Sequence, residues 1–214
     1  MRICRNKIGL PVMDPNPALP DTLPPMPALA ALLARASVPP RLLAAPGPDA
    51  LAIGRAVAAS LRAPDHGALR PCRFVCIEGE ARAAFGAVIA DALARRAPET
   101  PPERLEIERA KPLRSPLVVA AGAVLRHDHR IPVWEQQATA AAGVMNFINA
   151  LDAQGFGAIW LSSAALGDAR VKRALGFAET DMLLGWLYAG TPASDRPRPP
   201  RPAPDPYWRS WTPG

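Results

Sequence analysis

Arg35 and Ser37 stand two residues apart where an apolar stretch, Leu29 to Leu33, gives way to Pro39 and Pro40. An arginine and a hydroxyl at a helix end can grip a phosphoryl group, because the guanidinium offers a fixed fork of donors and the hydroxyl adds another. The same pair is also an ordinary helix end. Arg62 and His66 share a breaker-rich loop, Arg62-Ala-Pro-Asp-His-Gly-Ala-Leu-Arg-Pro71, where a lone arginine is usually a solvated charge. Beyond His66, the histidines are His127 and His129, and none of the three lies in a metal-helix or nucleophile–base motif. His127-Asp-His129 reads as a surface loop, and no metal is expected. There is no Gly-x-Ser-x-Gly elbow, P-loop or Gly-x-Gly-x-x-Gly fingerprint. The glycines of Gln154-Gly-Phe-Gly157 close a helix before a strand, for which a C-cap is explanation enough.

With no side-chain nucleophile in view, a hydrolase has little support; a bound redox cofactor changes the requirement. The protein then has only to hold that group and tune its electronics. For flavin mononucleotide this means arginine and hydroxyl groups for the phosphate. It also means donors near the ring edge, where negative charge grows on reduction.

These residues must be positioned by an α+β framework. A first helix is expected from about Pro27 to Ala36, ended by Pro39 and Pro40. A second begins near Pro48 and Asp49, a cap-and-first-turn pair, and runs to about Leu61. Strand Arg73–Ile77 leads through Glu78-Gly79 into a helix over 80–96 and a shorter one near 103–111. Pro116–Leu125 is continuously apolar and reads as a buried strand. The longest helix spans about Pro132 to Ala153, followed by strand Gly157–Leu161, a short helix near 168–175 and a last strand, Met182–Ala189. The order lacks a βαβ rhythm, so a layered α+β domain is favoured. Cys72 and Cys76 lie four apart on one strand, hence on one face and too far apart to bridge, and are expected in or near a core.

At 214 residues with 49% hydrophobic content, the chain is long enough to bury a core. Most of the formal charge of +6 comes from Arg2, Arg5, Lys7, Arg196, Arg198, Arg201 and Arg209 in the terminal segments, which argues against a nucleic-acid face. No run has the length of a membrane span and no secretory signal is visible, so no membrane is expected and the cytoplasm is the expected location. Residues 1–26 are Pro-rich and expected to be a flexible extension. Residues 192–214 are Pro-rich but carry Tyr207, Trp208 and Trp211, as an arm crossing a partner's surface would.

Four blocks in order carry a family resemblance: Leu-Leu-Ala-Arg-Ala-Ser37; Arg62-Ala-Pro-Asp-His66 with Glu78-Gly-Glu80; Val133-Trp-Glu-Gln136, leading to Ala153-Gln-Gly-Phe-Gly157 and Ile159-Trp-Leu-Ser162; and Gly185-Trp-Leu-Tyr-Ala-Gly-Thr-Pro192. Pro204-Asp-Pro206 fits as well. With these blocks the chain resembles the nitroreductase family, most closely its minimal single-domain members. The resemblance implies a three-layer α/β/α fold with a central, mostly antiparallel sheet in residues 27–191, assembled as an intertwined homodimer with FMN at the interface. It implies flavin contacts from Arg35, Ala36 and Ser37, from Arg62 and His66, and from Trp160, Leu161 and Ser162. It associates Ala150, Leu151, Asp152, Ala153, Gln154 and Gly155 with the nicotinamide nucleotide, NADH or NADPH. Small members often carry arginine where this chain has Ala36 and Leu161.

The implied reaction is ping-pong hydride transfer from NAD(P)H through the flavin to a nitroaromatic, quinone or similar flat acceptor, with no catalytic side chain assigned. A flavin-sequestering protein of the same fold with little turnover is the alternative. A dimeric structural domain without flavin is a third reading.

Overall fold

The structure is a computed structural model that describes residues 26–194 and 200–213. The chain divides into two compact units, Met1–Leu33 and Ala34–Gly214. The described part of the first, residues 26–33, holds all but the last residue of the helix α1 (Pro27–Ala34), whose Leu29, Leu32 and Leu33 are exposed. The flexible extension expected over 1–26 lies, apart from Met26, outside the described residues, as do residues 195–199 of the C-terminal arm.

The second unit is built on one five-stranded sheet, and every pairing among its described strands is antiparallel. The strands are β1 (Leu43–Ala44), β2 (Cys72–Glu78), β3 (Leu117–Ala123), β4 (Gly157–Leu161) and β5 (Met182–Pro192). β5 is long enough to pair with β3 along one edge and with both β4 and the two-residue β1 along the other, while β2 lies outside β3. β1 is too short to leave a pattern in the sequence. The helices are α2 (Ala50–Ser60), α3 (Ala81–Arg96), α4 (Pro102–Ala110), α5 (Val133–Ala153) and α6 (Ala169–Ala174).

All seven residues of β3 are buried, because its two faces feed two different cores. Leu117, Val119 and Ala121 pack with Ala56 of α2 and Val144, Phe147, Ile148 and Leu151 of α5. Val118 and Ala120 pack with Phe85, Ile89 and Ala92 of α3 and Val171 of α6. Strand alternation and helix periodicity thus build helix–sheet–helix layers, with each buried large apolar side chain contributing about 1.5–3 kcal/mol. The expected three-layer α+β fold with an antiparallel sheet is what forms.

Local signals set the boundaries. Asp49 caps α2, its carboxylate accepting from the Ala52 amide at 2.8 Å. Gly155, at φ +87°, closes α5 before β4. Helix α1 stops at Ala34, two residues before the expected end, so Arg35, Ala36 and Ser37 lie in extended linker. β2 pairs with β3 without a break, so Cys72 and Cys76 share a face as expected. Cys72 is buried beside the Ala140 carbonyl, but Cys76 is exposed rather than in the core. Among the described residues no helix is long and apolar enough to cross a membrane.

Candidate functional site

β4 pairs with β5 to its last residue, Leu161, while β5 carries an irregularity in its pairing with β3. Ala121 faces Gly185 and Gly122 faces Leu183, so Leu184 is the extra residue of a β-bulge. Gly185 adopts φ +152°, and its missing side chain leaves room for the Trp160 ring. The Trp160 Nε1–H donates to the freed Leu184 carbonyl at 3.0 Å. The bulge therefore fixes Trp160, and with it Leu161 and Ser162, which are exposed at the end of the strand.

The linker after α1 runs beside the start of β4, where the Val38 amide donates to the Ala158 carbonyl at 3.0 Å. Gly157 permits this approach, because a Cβ there would meet Val38 and Leu43 within 3.0 Å. Ala36 is buried, Arg35 half-buried and Ser37 exposed. Arg35 has no ion-pair partner among the described residues.

Pro40, three residues on from Ser37, reaches a cavity of about 110 Å³ lined also by Leu161, Ser162, Ser163, Trp186, Tyr188, Lys111 and Arg114. Trp186 is edge-on to Phe85 and donates from Nε1 to the Ser163 hydroxyl at 3.0 Å. Glu108 is buried and accepts from Lys111 at 2.6 Å and Arg104 at 2.9 Å. Burial raises the Tyr188 phenol above its ordinary pKa, against the lowering influence of Arg114 and reinforced by Glu108. The cavity adjoins a groove of about 820 Å³ between α3, α4 and the 3-10 turn Ala164–Gly167.

The second predicted group sits elsewhere. The loop after α2 is pinned to the start of α5: Thr139 donates to the Pro64 carbonyl at 2.9 Å, and His66 Nδ1 meets Glu135 at 2.8 Å. Asp65 accepts from the Leu69 and Arg70 amides, holding Ala68 and Arg70 at positive φ. Arg62 is exposed. The Arg35–Ser37 linker, by contrast, is tied to residues just past the C-terminal end of α5. At about 1.5 Å per residue, Glu135 and Ala153 are roughly 27 Å apart along that helix. Within the chain, the Arg35–Ser37 linker leads to the start of β4 and residues 160–162 lie at its end, while Arg62 and His66 stand apart at the other end of α5.

The stretch Ala150–Gly155 forms the last turn and cap of α5. Leu151 is wholly buried in the core, Gln154 spans from α5 to the Ala52 carbonyl at 3.2 Å, and Ala153 and Gly155 face outward. His127 Nε2 lies 3.0 Å from the Thr180 carbonyl, and His129 Nδ1 accepts from the Ile131 amide at 3.1 Å. Among the described residues no group of three or more His, Cys, Asp or Glu could hold a metal.

Lys111, Arg114 and Tyr188 are cavity residues that the sequence did not single out. Tyr188 lies in the Gly185–Pro192 stretch and alternates with Trp186 along β5, which was the available signal. Arg114 precedes β3 in a 3-10 turn and left none.

The nitroreductase family model matches residues 28–191. The Escherichia coli (strain K12) protein YdjA, which carries an NAD(P)H nitroreductase name, is 37% identical over 150 residues, spanning 70% of this chain and 81% of that protein. Among solved structures, a nitroreductase-like family protein from Bacillus cereus superposes with a TM-score of 0.74 at 16% identity, covering 89% of this chain and 98% of the other. A variant of the FMN- and NADPH-dependent nitroreductase NfnB, from Sphigopyxis sp. strain HMH, gives 0.64 at 18% identity over 86% and 99%.

Proposed function

The chain belongs to the nitroreductase family, and from that membership we propose that it is a cytoplasmic, FMN-dependent oxidoreductase fed by NADH or NADPH. In this reading it reduces a flat, electron-poor acceptor such as a nitroaromatic or quinone. When bound, FMN supplies the hydride relay, accepting from the nucleotide and giving to the acceptor in a ping-pong cycle. The observation that carries the proposal is the exposed end of β4, where Leu161 and Ser162 border a cavity holding an unpaired arginine and an unbonded phenol. Arg35 and Ser37 enter the same region from the linker. Trp160, fixed by its bond to Leu184, sets the strand edge along which the cofactor lies.

Arg62 and His66 are assigned to the flavin of a second copy of the chain, since one protomer keeps them apart from Arg35 and Ser37. Such a homodimer also covers apolar surface that water otherwise meets: Trp134 and Met145 on α5 and Leu51 on α2 are exposed, and the Asn149 Oδ1 is buried without a partner. In the same reading residues 27–191 are the FMN-binding domain, and the arm over 192–214 lies on the partner through Tyr207, Trp208 and Trp211, each exposed in the single chain. Ala150–Gly155 is assigned to the nucleotide, with contact through its outward-facing members.

The chain's Leu161, where small relatives often carry arginine, favours one other reading: a protein of this fold that holds flavin with little turnover. An anaerobic absorption experiment separates them. Purified protein should carry flavin bands that bleach on addition of NADPH or NADH and return with a quinone. A yellow protein that fails to bleach with either nucleotide is a flavin holder, and a colourless protein that cannot be reconstituted with FMN overturns both readings.

A further inference from the structure

The cavity at the end of β4 carries more positive charge than the predicted contacts account for. Of the charged residues in its wall, Lys111 is paired with Glu108, which leaves Arg114 as the positive charge in excess. Arg114 forms no ion pair or hydrogen bond among the described residues. Tyr188 is 6% exposed, yet its hydroxyl bonds to none of the described residues and is not sealed from the cavity. A buried phenol left unbonded beside a free guanidinium is costly unless a ligand completes it. At about 110 Å³ the space is too small for a ring system, since sites for whole organic ligands run to several hundred Å³, so only a substituent can enter. A free guanidinium with Lys111 nearby, a phenol donor and the Ser162 hydroxyl match a phosphate monoester better than a carboxylate or a sugar hydroxyl. Pro40 brings the chain that bears Arg35 and Ser37 to the rim.

We propose that this cavity is the phosphoryl subsite of the flavin site: Arg114, with Lys111 beside it and the Tyr188 hydroxyl in its wall, holds the FMN phosphate in place of the arginine that Leu161 lacks. The assignment rests on the FMN reading above. The groove beyond it offers less, because Arg95 and Arg104 are already tied to Asp168 and Glu108.

The test compares FMN with riboflavin, which differ only in the phosphate. Flavin fluorescence quenching on titration with the full-length, flavin-stripped chain gives both dissociation constants. Replacing Arg114 by Gln should weaken FMN about 10- to 100-fold and Tyr188 by Phe about 3- to 10-fold, with riboflavin unchanged for both. Arg114→Lys, which keeps the charge, should recover part of the loss and guards against misfolding of the Gln variant. In parallel, inorganic phosphate should raise the melting temperature of the stripped wild-type chain but not that of R114Q. Equal FMN-to-riboflavin preference in wild type and R114Q overturns the subsite. Stabilisation of the wild type alone by phosphate, with no binding of either flavin, upholds an anion site at Arg114 and refutes the FMN reading instead. Absence of both responses in the wild type refutes both.

Discussion

Replacing Gly185 by Ala tests whether the β5 bulge fixes the end of β4. A new Cβ would lie 2.6 Å from the Leu161 carbonyl oxygen and 2.7 Å from Trp160 Cδ1, and nearer still to the indole nitrogen. The residue must also hold φ +152°, which costs a non-glycine residue roughly 1–3 kcal/mol. Displacing the packed indole adds about 1–3 kcal/mol. Together these give a loss of about 2–6 kcal/mol, or roughly 4–24 °C in melting temperature for a chain of this length. Thermal denaturation followed by circular dichroism, at fixed protomer concentration, measures it. The two causes separate in a Trp160→Ala background, where the ring is gone and Gly185→Ala should cost only the backbone part, about 1–3 kcal/mol. The double variant should therefore be less destabilised than the two single losses added. Strict additivity would show that the ring and Gly185 do not compete for this space. A G185A protein melting within about 2 °C of wild type would refute the need for glycine at the bulge altogether.

Gly143→Ala should lose about 1–3 kcal/mol despite alanine's better helix propensity, because the added methyl meets Cys72 Sγ; Cys72→Ala in the same chain should recover most of the loss, and urea midpoints that show no recovery refute the packing argument. Asp168 caps α6. Burial alone would raise its carboxyl, but the Val171 amide, the Arg95 side chain and the Arg170 amide together hold it below the usual carboxylate range. A carboxyl depressed by folding stabilises above its unfolded value, about 3.9, and that contribution is lost as the pH falls through the lower folded value. Asp168→Ala should accordingly cost about 1 kcal/mol at neutral pH and progressively less towards pH 3. Urea midpoints at both pH values check this, and an equal deficit at both contradicts it.

The framework was legible because each element announces itself locally. The unbroken apolar run of β3 could only be buried on both faces, and Asp49, Gly155 and the prolines punctuate their helices by chain geometry that needs no tertiary partner. What escaped reading depends on pairing. β1 is two residues placed by the far end of β5, and Cys76 is exposed although it shares a face with buried Cys72, since burial is decided by what packs opposite and not by strand parity. The linker after α1 becomes extended two residues sooner than its alanines suggest. The Val38 bond to Ala158 and the fit against Gly157 select that conformation over propensity.

The candidate site shows the same division more sharply. Family motifs mark residues by their order along the chain, and order cannot say which of them meet. Val38, just after Arg35 and Ser37, bonds to β4 because that strand turns back from the end of α5. Arg62 and His66 are anchored at the helix's opposite end by Thr139 and Glu135, so any one ligand touching both groups must draw them from two chains. Arg114 and Tyr188 lie 74 residues apart in sequence. They share a cavity only because β3, which follows Arg114, pairs with β5 in a register that sets Val118 opposite Tyr188. A one-residue slip of β5 would turn Tyr188 into the other core, away from Arg114. The charge that Leu161 fails to supply is therefore set by strand register, a property that no short motif contains.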